Sequence, residues 1–221
     1  MTLSPVRLFA LCAIMTLPGC AGLNTLSSAA TPTDLFTLTP KSTFDQSLPR
    51  LQQQIVVAEP TATAAVSSDR ITVQPTPLKV EFLPGVRWID NAPTIVQSLL
   101  IESYENTGKV DAVGRSAVSL RPDYVVVTDI REFQARTRPG GSVNDPLQVE
   151  VRLNLKLVNA EIDRIIGSRS FEKVVDTTSD QPDDVADAFD RALGSVMRNG
   201  VEWSVRRMHS DSIKRQNDSS S

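Results

Sequence analysis

The sequence predicts an α+β fold: a two-layer domain whose largely antiparallel sheet carries two main helices packed on one face. Three observations support this prediction. Residues 123–176 contain three strand patterns in succession, a helical pattern covers 92–106, and a second helical pattern begins at residue 182. Strands and helices that are segregated along a chain indicate an α+β domain, because each helix has to bury its apolar stripe against the sheet.

Four short strands are predicted before the first helix. They are "DLFTLTP" (34–40), "QQQIVVAEP" (52–60), "RITVQ" (70–74) and "LKVEFL" (78–83). The last two alternate like paired strands, with Pro75 and Pro77 in the turn between them. One helical turn is expected in "TATAAVSSD", ahead of this pair.

The first helix is predicted at 92–106. Asp90 or Asn91 can cap its amino end, and Pro93 is acceptable in a first turn. Its apolar residues recur at helical spacing, and Asn106-Thr107-Gly108 supplies the stop. The helix therefore has one apolar face to bury.

Three strands form a predicted antiparallel meander: 123–135, 146–158 and 165–176. From Leu147 to Leu157 apolar and polar side chains alternate without a break, which is typical of a strand with one buried and one solvent-exposed face. The loop 136–145, with turn residues Gly140 and Gly141, joins the first two strands. Residues 159–164 turn the chain between the last two.

A long helix is predicted to follow, capped by Asp180 or Gln181 and opened by Pro182. Its buried stripe is expected to contain Val185, Phe189, Ala192, Leu193 and Val196. The polar segment 209–221, "HSDSIKRQNDSSS", is predicted to be a disordered tail.

The amino terminus has the pattern of an export signal. One Arg precedes an apolar run of ten residues, Leu8 to Leu17, which Pro18 and Gly19 end. A membrane-spanning helix needs roughly 20 apolar residues, so this run fits the short core of a secretory signal. Leu17-Pro18-Gly19-Cys20 resembles the bacterial lipobox. The alternative is an ordinary secretion signal with a chance Cys.

This pattern divides the chain into a signal peptide (1–19), a lipidated amino terminus with a flexible tether (20–33), the domain (34–208) and the tail (209–221). Cys12 would be lost with the signal, which leaves Cys20 as the only thiol and hence the expected site of acylation. Stable anchoring needs more than one acyl chain, which an acylated Cys can carry. Ala21 follows, with no Asp to indicate inner-membrane retention, so the outer membrane is expected.

Several function classes are not expected. The net charge of −3 is spread along the chain without a basic stripe, so nucleic acid is not an expected partner. The one histidine is His209, and no G-x-G-x-x-G, P-loop or G-x-S-x-G pattern occurs. We therefore expect no enzyme activity, no metal, and no cofactor apart from the covalent lipid on Cys20.

Two groups of carboxylates have alternative interpretations. Asp183, Asp184 and Asp187 suit either the positive end of a helix dipole, which we favour, or an acidic metal site. Asp129 is either a buried acid or, as we expect, an exposed or salt-bridged strand residue with Arg131 or Arg152 nearby.

Arg87 and Trp88 are the candidate partner-contact residues. They stand in "PGVRWIDNAP", directly before the first helix. Trp and Arg together are typical of interaction hot spots. The alternative, which we favour for Trp88, is that its indole packs the helix onto the sheet.

The order of these segments resembles the ABC-type transport auxiliary lipoprotein family, whose members accompany MCE-domain lipid transporters. The resemblance runs from about Leu35 to Met208. It is carried by Arg87-Trp88 ahead of a helix that starts at a Pro, by the strand that ends Arg131-Glu132-Phe133, by "VEVRLNLKLVNAEIDRIIGSRSFEK", and by the lipid anchor.

This resemblance implies a non-enzymatic periplasmic component at the outer membrane. Its implied partners are an MCE-domain substrate-binding protein and an ABC permease and ATPase, with loops such as 84–91 or 136–145 making the contacts. Two alternatives stay open: an envelope scaffold or assembly lipoprotein, and a direct periplasmic lipid carrier. An exposed edge strand in the meander would also permit self-association.

Overall fold

The structure is a computed structural model that describes residues 33–116, 121–138, 140–141 and 145–219. This part of the chain contains nine strands and two helices. They are β1 Asp34–Phe36, β2 Leu51–Val57, β3 Thr61–Ala62, β4 Arg70–Thr76, β5 Lys79–Trp88, α1 Ala92–Asn106, β6 Val110–Arg115, β7 Tyr124–Arg136, β8 Gln148–Asn159, β9 Arg164–Asp176 and α2 Pro182–Ser219.

Strand β7 is the centre of the sheet. Along one edge it pairs in full with β8, which in turn pairs with β9. Along its other edge β7 meets three separate strands: β2 near Tyr124, β3 at Asp129, and β4 near Arg136. Strand β6 extends the sheet from β2, while β5 and β1 extend it from β4. The sheet thus branches around a single long strand.

The predicted α+β class is confirmed, and the sheet is mixed. Its two longest ladders, β7–β8 and β8–β9, are antiparallel and form the predicted meander. The β4–β5 pair is also antiparallel, whereas β1–β5, β2–β6, β2–β7, β3–β7 and β4–β7 are parallel. Parallel pairing requires a crossover between the strands, so it joins segments that are distant in sequence.

Helix α1 has the predicted limits. The Asn91 side chain accepts a hydrogen bond from the Thr94 amide at 3.0 Å, so Asn91 rather than Asp90 is the cap. The buried face of α1 packs against β6 and β2, and its last turn also reaches α2. There the Tyr104 and Ser204 hydroxyls lie 2.6 Å apart in the core.

Helix α2 packs on β8 and β9. Each of the five residues predicted for its buried stripe is at most 2% exposed. The predicted disordered tail is wrong, because α2 continues to Ser219. Its last turns are held by polar contacts: the buried Asp211 carboxylate accepts hydrogen bonds from Asn159 at 2.9 Å and from Tyr124 at 3.0 Å.

The remaining differences concern short strands. Strands β3 and β6 were not predicted, and β5 runs five residues further than expected, to Trp88. The Ser67 amide donates to the Thr63 carbonyl at 2.8 Å, which provides the expected helical turn before β4.

Candidate functional site

The segment that contains Arg87 and Trp88 is the end of β5, and β1 lies beside it in parallel. Leu35 is in register with Arg87, and Phe36 with Trp88. The Ile89 amide donates to the Phe36 carbonyl at 2.9 Å and so continues the ladder. Successive side chains of a strand point to opposite faces. Leu35, Arg87 and Ile89 are consequently exposed, and we call these three residues the β1–β5 face.

Trp88 points the other way, into the core. Its side chain is 1% exposed, and its ring lies 5.1 Å from that of Phe189 and 6.0 Å from that of Phe133. Aromatic pairs at these separations stabilise a core beyond the area that they bury. Trp88 therefore packs in the core, as the favoured alternative predicted. The structure corrects its assignment as a partner contact, because the buried indole is not accessible to a partner.

Arg87 remains a candidate contact residue. Its Nη1 lies 2.9 Å from both carboxylate oxygens of Asp69, and both side chains are close to half exposed. An ion pair this exposed contributes little to stability. It does fix the direction of the guanidinium, so Arg87 is presented to solvent in a defined orientation. Its role in partner binding stays a prediction.

The sequence did not reveal the apolar part of this face. Leu35 is 64% exposed and Ile89 is 63% exposed. The two become neighbours only because β1 pairs with β5, across some fifty residues of chain. One feature of the sequence could have indicated this face: if the Trp88 side chain points into the core, strand alternation directs the side chains of residues 87 and 89 to the surface together.

A groove continues the β1–β5 face toward α1. It has a volume of about 340 Å³ and lies between the segment 37–40 and the helix. Ile89 stands at one side, and the helix side contains both polar residues, such as Ser98, and apolar residues, such as Leu99. The groove thus combines apolar and polar groups, which suits a peptide or a protein loop more than a small apolar ligand.

The carboxylates singled out in the sequence have structural partners. Asp129 pairs with Arg131 at 3.3 Å, as expected. Asp184 accepts a hydrogen bond from Ser179, and the bonds from Ser179 and Thr178 lower the pKa of its carboxyl. Asp187 pairs with Arg191 one turn later at 2.9 Å. No group of metal-binding side chains occurs among the residues that the structure describes.

The outer face of the meander carries further ion pairs. Glu132 pairs with Arg152, and Glu150 lies 2.9 Å from Arg136. Burial raises the pKa of Glu150, and the Arg136 charge opposes this rise. Carboxylates held by guanidinium groups across neighbouring strands act as cross-links of the sheet.

Three other candidates remain: Cys20, the loop 136–145 and His209. Cys20 lies outside the described residues. The loop 136–145 is described only at 136–138, 140–141 and 145, so its contact role is also untested. His209 lies inside α2, where its carbonyl accepts a hydrogen bond from Ser212. None of the helices in the described part of the chain is long and apolar enough to cross a membrane.

These features define a small α+β domain that exposes two apolar residues and one arginine side by side. The chain belongs to the family of ABC-type transport auxiliary lipoprotein components, whose family model matches residues 36–199. Members of this family are auxiliary lipoprotein components of ABC-type transport.

The chain is also similar to individual proteins. The uncharacterized protein bll6063 of Bradyrhizobium diazoefficiens is 26% identical over 196 residues, covering 84% of this chain and 49% of its own length. The chain thus spans about half of that relative. Protein XCC0632 of Xanthomonas campestris has a crystal structure that matches with a TM-score of 0.75 and 28% identity, over 81% of this chain and 99% of that one. A further crystal structure, of an uncharacterized protein, shares only the fold (TM-score 0.54, 12% identity, 81% and 98% coverage).

Proposed function

We propose that this protein is a non-catalytic auxiliary component of an ABC/MCE-type lipid transport system, anchored at the periplasmic face of the outer membrane. Acyl chains on Cys20 hold it there, and the domain docks the MCE-domain substrate-binding protein and, through it, the permease and ATPase. The observation that carries this proposal is the β1–β5 face: a rigid, exposed surface of two apolar residues and one arginine in a transport auxiliary.

The position of this face relative to the anchor supports the proposal. Thirteen residues, 21–33, separate Cys20 from β1. A chain of this length spans about 45 Å when fully extended. The tether ends at the first strand of the β1–β5 face, so its length limits how far this face can lie from the membrane anchor.

The chemistry of the face suits protein binding. Burying a Leu or Ile side chain in an interface contributes about 1.5–3 kcal/mol by removing apolar area from water. Arg87, held by Asp69, provides a polar anchor beside the two apolar residues. The Trp88 ring behind them is fixed by Phe133 and Phe189, so the face has little freedom to lose when a partner binds.

Co-purification tests the docking. The native lipoprotein is isolated from membranes, and we expect MCE and permease subunits to co-purify with it. Changing both Leu35→Ser and Ile89→Ser should reduce the recovered partner by at least tenfold, since two apolar contacts are lost. Leu78→Ser is the matched control, because Leu78 is 99% exposed at the β4–β5 turn, outside the face.

Two results would refute this proposal. If no MCE or permease subunit co-purifies with the unchanged protein, the docking role fails, and other envelope proteins in the eluate would identify a scaffold instead. If Leu78→Ser weakens recovery as much as the double substitution does, the β1–β5 face is not the contact surface.

The anchor needs its own test. Mass spectrometry of the amino-terminal peptide should find an acylated Cys20 in the outer-membrane fraction. With Cys20→Ala the protein should leave that fraction while keeping its thermal midpoint. A mature chain that starts at another residue, or that lacks acyl groups, excludes the lipid anchor.

A further inference from the structure

A second surface lies at the other end of α2, where the turn 160–163 and the first residues of β9 meet the last turns of the helix. Three cationic side chains, Arg164, Arg207 and Lys214, line a pocket of about 300 Å³ there. All three are exposed. Arg207 is fixed by its Nε, which donates to the Ile166 carbonyl at 2.7 Å. We call this surface the C-terminal patch.

None of the carboxylates that the structure describes around the patch is paired with these three cations. Asp211 lines the same pocket, but its carboxylate is occupied by Asn159, Tyr124 and Arg215. Glu161 pairs with Arg215. Asp163 and Asp218 are the remaining acids nearby in sequence. Within the described residues neither of them forms an ion pair, and neither do Arg164, Arg207 and Lys214. The three cationic side chains of the patch are therefore free to contact an external anion.

Exposed isoleucines occur in the three segments that meet at the patch. Ile162 in the turn is 47% exposed, Ile165 at the start of β9 is 58% exposed, and Ile213 on α2 is 45% exposed. Isolated apolar residues on a surface need no explanation. Three of them at one end of a domain, interleaved with lysine and arginine, form the pattern of a surface that enters the interface of a bilayer.

We propose that the C-terminal patch binds the surface of an anionic phospholipid bilayer. The cations contact headgroup phosphates, and the isoleucines enter the headgroup region. A pocket of about 300 Å³ is at the lower limit for a small-molecule ligand and has no room for two acyl chains, so the lipid stays in its membrane. A free phosphate ion would leave the isoleucines in water, which makes the bilayer the better occupant.

The geometry allows this contact on the membrane that holds the proposed anchor. The β1–β5 face packs near Phe189 through Trp88, and the patch adjoins Asp211, 22 residues further along α2. This separation is about 33 Å at 1.5 Å per helical residue. A tether of about 45 Å exceeds it. A domain that lies along the membrane therefore reaches the bilayer with its patch.

Vesicle co-sedimentation tests the proposal without the anchor. The protein is produced as residues 21–221, without the predicted signal peptide and Cys20, so that neither an acyl chain nor the apolar run 8–17 is present, and is mixed with phosphatidylcholine vesicles or with vesicles of equal parts phosphatidylcholine and phosphatidylglycerol. We expect it to sediment with the anionic vesicles only, and less as salt is raised. Because the anchor and transporter subunits are absent, this result is independent of the proposed docking function.

Substitutions locate the binding surface. A basic side chain near an anionic membrane is worth enough that Arg164→Gln and Lys214→Gln should each weaken partitioning about fivefold. Lys173→Gln is the matched control: Lys173 is exposed on the same strand, β9, and lies outside the patch. Ile165→Ser should also weaken binding, and all variants should retain the thermal midpoint, because these side chains are exposed.

Three outcomes would overturn the inference. Equal sedimentation with neutral and anionic vesicles excludes headgroup charge as the ligand. A Lys173→Gln effect as large as that of Lys214→Gln shows unspecific attraction. Release of the bound protein by millimolar inorganic phosphate at constant ionic strength identifies a soluble phosphate as the ligand in place of the bilayer.

Discussion

Tyr104 and Ser204 form a hydrogen bond that links the two helices inside the core. Their oxygens are 2.6 Å apart, and both side chains are 0% exposed. The Ser204 hydroxyl also donates to the Val201 carbonyl at 2.8 Å, which uses its only hydrogen. Tyr104 is therefore the donor of the pair. Burial raises the pKa of Tyr104, which keeps this phenol neutral and able to donate.

Because Tyr104 is the donor, removing the Tyr104 hydroxyl and removing the Ser204 hydroxyl should lower the free energy of unfolding by different amounts. Ser204→Ala leaves a buried phenol donor without an acceptor, and the free energy of unfolding should fall by about 1–3 kcal/mol. Tyr104→Phe leaves Ser204 still bonded to Val201 and should cost about 0.5–1.5 kcal/mol. Urea unfolding of both single variants and the double variant measures this, and the double variant should cost less than the two singles together. A larger cost for Tyr104→Phe would contradict the assignment.

At single residues, the sequence predicted partners only when they were close along the chain. The Asp129–Arg131 pair and the Asn91 cap are local, and both were among the predicted alternatives. Trp88 could not be decided this way, because Phe133 and Phe189 come from elements 45 and 101 residues away. Leu35 and Ile89 were missed for the same reason.

Among the elements, α2 shows how closely a helix approaches the sheet. A Cβ added at Gly200 would lie 2.8 Å from Cδ1 of Leu155, a β8 residue that is 1% exposed. At Gly194, six residues earlier in the same helix, the nearest atom would be Lys41 Cδ at 3.9 Å. Gly200 is thus required by close packing, whereas Gly194 is not.

The two glycines predict opposite responses to alanine. Gly194→Ala should raise the free energy of unfolding by about 0.5–1 kcal/mol, because alanine favours the helix and the site has room. Gly200→Ala gains the same propensity but forces Leu155 out of place, so it should lower stability by about 1–2 kcal/mol net. Chemical denaturation of both variants provides the comparison. Equal stabilisation of the two would refute the close helix–sheet contact.

The end of α2 was missed because its stabilisation is polar. Residues 209–219 have no apolar stripe, and their one large apolar residue, Ile213, faces solvent. Asp211 and Arg215 hold this segment through Tyr124, Asn159 and Glu161, all on other elements. A sequence pattern shows the polarity but not these partners, and polarity alone is typical of disorder.

A proline substitution tests this helical segment. Ser212→Pro removes an amide donor and clashes with the carbonyl of Met208, so it should lower the free energy of unfolding by about 3 kcal/mol. Ser212→Ala keeps the backbone donor and serves as the control, with an expected change below about 0.5 kcal/mol. Urea unfolding distinguishes them. If both variants unfold like the parent protein, residues 209–219 are not part of the folded helix.

For the whole molecule, the sequence was sufficient for the class and for the meander but not for the topology. Alternation over 147–157 fixed β8, and short links fixed its two antiparallel neighbours. The sequence could not predict which strands pair in parallel with β7, because the alternation of apolar and polar residues within a strand does not depend on its neighbour in the sheet. Strand β6, with Gly114 and two charged residues in six, has little strand propensity and depends on β2 for its conformation.

The branched sheet raises the question of whether its two sides fold together. The described residues from 33 to 219 form one compact unit. Trp88 connects β5, β7 and α2 through its aromatic contacts, while Trp203 on α2 packs against Phe171 of β9, with ring centroids 5.6 Å apart. The two indoles therefore report on different sides of the sheet, and α2 is common to both.

Shared packing on α2 predicts a single cooperative transition. Trp88→Phe and Trp203→Phe give two proteins with one indole each, and each is unfolded in urea while fluorescence and far-ultraviolet circular dichroism are recorded. In each protein the two midpoints should coincide, although Trp88→Phe lowers both, because a two-state domain loses all its structure together. An earlier fluorescence midpoint for Trp203 would mean that β9 and the end of α2 detach first, which would separate the C-terminal patch from the domain that carries the β1–β5 face.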